Sequence, residues 1–198
     1  KLNFNLFGRK KHFIGILMKN DEKKGNLLGI LAVICFSLTL PFTKYLTNSL
    51  NFYEIGIIRA LIASLMALII ITFKKEKWPH KNDFFQFLIV GLGVVLGFPF
   101  LVALGMETVS SGHGGILLAS LPISTAVFSY LLSKEKPSLL FWALSILGFI
   151  IVCFYSVSHT PLKDLHWSQG DTALFGAVLM GGLGYAKGGH LSKSYSSW

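Results

Sequence analysis

The chain has 198 residues, 53% of them hydrophobic and 14% charged, with a mean hydropathy of +0.61 and a formal net charge of +9. Soluble domains carry about 25% charged residues, so this composition excludes the ordinary soluble class and requires a nonaqueous partner, the lipid bilayer. Nucleic acid is not implied either, because Lys and Arg stand in short clusters between apolar runs and not as a basic face of a folded domain.

Residues 1–24 read as a charged N-terminal extension on the cytoplasmic side, with Met18 as the expected biological start. The basic residues ahead of Met18 precede only a short apolar patch without a small-residue cleavage site, which is a poor signal peptide. Crossing a bilayer takes about 20 predominantly apolar residues in helical conformation. Six stretches approach that measure: Leu27 to Leu46, Phe52 to Phe73, Phe84 to Leu104, Gly112 to Leu132, Leu139 to Val157, and a weaker, glycine-rich Thr172 to His190. The expected fold is therefore an all-α membrane protein of about six transmembrane helices. Short polar connections such as "KKEKWPHKND" and "SKEKPS" make consecutive helices antiparallel neighbours in one bundle.

Alternate connections differ in charge. Lys1, Arg9, Lys10, Lys11, Lys19, Lys23 and Lys24 precede the first stretch, Lys74, Lys75, Lys77 and Lys81 follow the second, and Lys134 and Lys136 follow the fourth; the opposite connections hold only Lys163. By the positive-inside rule the N-terminus is cytoplasmic, and after six crossings so is Trp198. Trp78, Trp142 and Trp167 fall near the expected interfaces, where amphipathic aromatics anchor.

Glycine spacing predicts which helices are interior. Gly93 with Gly97, and Gly184 with Gly188, stand four apart on one helical face, which lets backbones approach closely in lipid. Pro41, Pro99 and Pro122 fall inside apolar runs and predict kinks, because proline removes a backbone donor. Cys35 and Cys153 sit mid-run and read as buried packing thiols. Neither a disulfide framework nor metal-ligand spacing is present, so no metal or cofactor is implied.

Ionisable residues inside spans are costly, at least about 2.5 kcal/mol at the bilayer centre, and each calls for a role. Arg59, about seven residues into the second helix, is a candidate for meeting an anionic solute group; the rival is a structural pair with Glu54 or a bundle carbonyl. Lys44, three residues after Pro41, either lines a pathway or snorkels to the interface. His113, in "SSGHGG", either relays a proton or serves the loop and helix start. Pro122 and, among glycines of the sixth helix, Tyr185 complete the pathway candidates, with tight packing as the alternative for Tyr185 and Lys187. Glu107 reads as a solvated charge. No GxSxG elbow, HExxH pair or Walker A loop occurs, so catalysis is not expected. A membrane enzyme and a non-transporting membrane scaffold stay as alternatives.

Several stretches resemble a known family. "NFYEIGIIRALIASLMALII", with Glu54 five positions before Arg59, is one; "ALGMETVSSGHGGILLASLPISTAVFSYLLSKEKPSLLFWALSILGFIIV", carrying Ala103, His113, Pro122, Glu135 and Gly148, is another; "QGDTALFGAVLMGGLGYAKGGHLSKSYSSW" is the third. Together they resemble the EamA-type members of the drug/metabolite transporter superfamily. That resemblance implies ten helices in two inverted five-helix repeats, with 25–157 as the first repeat, 158–170 as an external loop and 171–198 as the first helix of a truncated second repeat. It implies a secondary carrier or exporter of small metabolites, amino acids or amphipathic compounds among them. The implied setting is a cell membrane, the bacterial inner membrane. The partners implied are the bilayer, a small-molecule solute and the missing second repeat of the same chain, with a homodimer left open. Lys187 departs from the family, which often has an acidic residue near that position.

Overall fold

The computed structural model describes residues 23–75, 79–134, 136–159 and 167–195. Met18, Lys77, Trp78, Glu135, Lys163 and Trp198, to which the sequence assigns places, lie outside the described residues. The chain divides into two units, one ending at Thr39 and one beginning at Leu40. In the first, helix α1 (23–37) exposes apolar side chains on every side, among them Leu28, Ile30, Val33 and Ile34. Cys35 is exposed too, so the expectation of a buried thiol fails there.

The second unit contains α2 (Thr39–Leu46), α3 (Phe52–Lys74), a 3-10 turn at Lys81–Asp83, α4 (Phe84–Val90), a π-helical segment at Gly91–Gly97, α5 (Phe98–Thr108), α6 (Ser111–Leu118), α7 (Leu121–Ser133), α8 (Leu139–His159) and α9 (Gln169–Leu191). No strand occurs among the described residues. Among the described residues four helices are long and apolar enough to cross a membrane: Lys23–Leu46, Phe52–Lys74, Lys81–Thr108 and Ser111–Ser133, with a shorter apolar helix at Leu139–Tyr155.

The sixth expected span, α9, is 23 residues long yet does not join them on hydropathy. Its position explains why. It packs against α4, the π segment, α5, α6 and α7, so protein covers its small-residue face while Phe175 and Leu179 on the other face stay exposed. Its buried residues are mainly small: Gly170, Ala173, Ala177, Gly181, Gly182, Gly184 and Ala186. A Cβ at Gly93 would stand 2.7 Å from the Met180 carbonyl oxygen and 2.9 Å from the Gly184 Cα, and one at Gly105 would stand 2.9 Å from the Gly170 carbonyl. The third span and α9 are thus in backbone contact, as the glycine spacing predicts. Phe98, Val102, Met106, Leu118, Leu121, Leu174 and Val178 fill the core between them. The outer faces of α3 and α8 are apolar and open, with Phe73 and Leu139 each 86% exposed. That inside-out distribution of large apolar residues suits a bilayer solvent.

Each mid-span proline begins a new helical segment. Pro41 is the third residue of α2, after a turn at Leu38; Pro122 opens α7 after a break at Ala119–Ser120; Pro99 opens α5. Proline fits a helix's first turn because its missing N–H has no intrahelical partner there. Ahead of Pro99 the adjustment is a π-helix in "GLGVVLG", where the Phe98 N–H donates to the Gly93 carbonyl, five residues back. The wider turn relieves the proline ring's clash with the carbonyl four residues behind it.

Candidate functional site

One end of the second unit gathers the ends of several helices. Asn51 caps α3 in a capping box, its Oδ1 accepting from the Glu54 N–H while its own N–H donates to Glu54 Oε2, each at 2.9 Å. Glu54 is therefore used locally. It makes no ion pair with Arg59, because five residues along a helix turn the two side chains about 140° apart. Lys44 Nζ donates to the carbonyls of Met106 at 2.7 Å and Glu107 at 3.3 Å, at the C-terminal end of α5. A cation there offsets the partial negative charge of the terminal carbonyls, so Lys44 joins α2 to α5. Glu107 Oε1 accepts from the Phe52 N–H at 2.9 Å, so this exposed carboxylate also fastens a helix start.

Deeper along α3, Arg59 is half-buried and its Nη1 donates to Thr43 Oγ1 at 3.2 Å. Thr43 is only 2% exposed. Tyr185 on α9 lies near enough to Arg59 for the two to interact electrostatically, and its ring packs edge-on against Phe98 with centroids 6.2 Å apart. Two of the sequence candidates, Arg59 and Tyr185, are thus brought together by α3 and α9. Arg59 has no carboxylate within ion-pair distance among the described residues. Its known polar surroundings are hydroxyl groups.

His113 occupies a different place. Ser110 caps α6 by accepting from the His113 N–H at 3.3 Å, so the helix-start role belongs to the backbone of His113. Its side chain points to α9: Nε2 stands 2.8 Å from Asp171 Oδ1. Asp171 is 1% exposed, and its Oδ2 accepts from the Ser168 N–H at 2.7 Å and from Ser168 Oγ at 2.8 Å. Sequence reasoning missed Asp171 and Thr43. "SQGD" does carry a capping signature at Ser168 to Asp171, which marks a helix start but not the histidine it meets. Pro122 opens α7 and touches neither polar group by any contact described. Trp167 donates from Nε1 to Thr172 Oγ1 at 3.0 Å, beside Asp171.

The model of the EamA-like transporter family matches residues 23–157. The chain belongs to the EamA-like transporter family. It is a multi-pass membrane protein of that family, and the matched region ends before α9. It is also similar to the uncharacterized transporter YdeK of Bacillus subtilis (strain 168), at 32% identity over 183 residues, covering 90% of this chain and 61% of that protein. The chain thus spans less than two thirds of the length of this relative. No solved structure matches it.

Proposed function

We propose that the protein is a secondary carrier of small metabolites that bear an anionic group, amino acids and amphipathic acids among them, and that Arg59 is the residue that receives that group. The observation that carries this reading is a guanidinium about 10 Å along a membrane-spanning helix, half-buried, hydrogen-bonded to the Thr43 hydroxyl and with no carboxylate in ion-pair distance among the described residues. Such a charge is costly in a membrane unless it has a function. Arginine also offers two parallel donors to a carboxylate, with Thr43 hydrogen-bonded to Nη1 to steady the fork. A cell membrane with the N-terminus on the cytoplasmic side is part of the same proposal, supported by the thirteen-to-one asymmetry of basic residues between alternate connections. The packing of α9 against the family-matched helices supports a second repeat that completes the pathway.

The test is solute flux in proteoliposomes, screened with amino acids and small organic acids. An unchanged solute should accumulate or leave; a chemically converted product would instead favour an enzyme. Arg59→Lys keeps the charge and loses the fork, so flux of the anionic solute should fall about tenfold or more while expression holds. Normal flux by Arg59→Ala would remove the residue from the pathway.

A further inference from the structure

Asp171 is a buried carboxylate that the Arg59 reading does not use. Its Oδ2 is engaged by Ser168, whereas its Oδ1 has His113 Nε2 at 2.8 Å and no other polar partner among the described residues. The two halves of the pair differ in access, the His113 side chain being 20% exposed and that of Asp171 2%. A proton can therefore reach the buried acid's partner from solvent without the acid itself being opened. Imidazole is the side chain whose ordinary charge change falls between about pH 5 and 8.

We propose that His113 and Asp171 form a proton-binding site, and that the proton it takes up is the coupling ion of the carrier. The proposal rests on the transport reading and supplies the ion that reading leaves unnamed. With one proton held as imidazolium against carboxylate, the pair is neutral and ties the start of α6 to the start of α9. Release of that proton from the imidazole leaves the Asp171 charge opposed only by the Ser168 donors and the α9 N-terminus. A second proton, taken by the carboxylate, leaves the imidazolium without a counter-charge. Either change weakens a joint between a helix of the family-matched region and the helix that follows it. Such a joint is where a carrier of repeated halves can convert ion binding into movement.

Few other groups on the packed elements compete for this role. Against α6 and α9 lie α5, with Glu107 already accepting from Phe52, and α7, with Tyr130. Packed on α6, α8 carries Cys153, Tyr155 and His159; α4 and the π segment carry no titratable residue. On α9 itself Tyr185, Lys187 and His190 stand more than three turns from Asp171. Lys44, at the same end as the pair, is held by the α5 carbonyls.

Trp167, hydrogen-bonded to Thr172 one residue from Asp171, is a built-in reporter. The experiment titrates Trp167 fluorescence in the detergent-solubilised protein from about pH 5 to 8, with Trp78, Trp142 and Trp198 changed to Phe and with His166, the neighbour of Trp167 in the sequence, changed to Gln. The probe is the proton alone, so no solute need be known. The unsubstituted pair should give a reversible one-proton transition. His113→Lys, which retains a permanent cation, should keep the fold and lose the transition; Asp171→Asn, which removes the counter-charge, should alter it. A transition unchanged in His113→Lys, or none in the parent, overturns the proposal and leaves a static ion pair. If the variants do not fold, nitrogen NMR of His113 in the unsubstituted protein decides, since an imidazole fixed in one state across the range has the same meaning. A clear titration in a protein that moves no solute would leave the proton site standing and overturn the transport reading together with the site's coupling role.

Discussion

At the residue scale, two glycines four positions apart have different jobs. Gly184 stands against the backbone of Gly93, where an added Cβ at Gly93 meets main-chain atoms at 2.7 and 2.9 Å. Main chain inside two packed helices cannot step aside cheaply. Gly93→Ala should therefore cost about 1 to 3 kcal/mol as an overpacked contact, read as a lowered melting temperature in detergent. At Gly188 the nearest atoms to an added Cβ are those of Val90 at 3.7 and 3.9 Å, an ordinary contact. Gly188→Ala should be neutral or stabilise by up to about 1 kcal/mol through helix propensity. Equal destabilisation by both would show that the helix contact is looser than described.

At the scale of elements, α9 is fastened at both ends to the helices before it. Near its start stands the His113–Asp171 pair; just beyond its end Tyr195 donates to Asp83, accepts from the His80 N–H at 3.2 Å and packs edge-on against Phe87. The hydrogen bond to the Asp83 carboxylate pushes the Tyr195 phenol above its ordinary range. A phenol raised in the folded state lends its stability below its unfolded value, about pH 10, and loses it as pH climbs through the folded value. The tie should thus be intact at neutral pH and released only in alkali. A difference absorbance titration of the protein against Tyr195→Phe should show that one phenol ionising late, and ionisation at the ordinary value would contradict the hydrogen bond. The proline-led segments belong to this scale as well. Pro99 and Pro122 were visible as breaks, but the seven-residue π segment that accommodates Pro99 depends on the Gly-rich run being pressed against α9.

For the whole molecule, the charge asymmetry sets an expected orientation. Single cysteines in a background lacking Cys35 and Cys153 report it: a cysteine at Asn48 should react with an impermeant reagent added outside cells, and one at Lys75 or Lys134 should not. Labelling of Lys75→Cys from outside would reverse the arrangement.

The sequence by itself determined the membrane class, the extents of the helices and the interior role of the third span and α9, because hydropathy, length and glycine spacing are local quantities that lipid and close packing read directly. It also singled out Arg59, Tyr185 and His113, since a polar group in an apolar run is conspicuous wherever it ends up. Which partner each received was a tertiary matter. Glu54 looked available to Arg59 but was consumed by the α3 cap, Lys44 found the carbonyls of α5, and Asp171, inconspicuous in the sequence, met His113. The least apolar of the six helices proved central for the same reason. Along its glycine-rich face the helix answers to the shape of its neighbours and not to lipid, and that shape is set by α4 to α7 together, not by any local stretch of sequence.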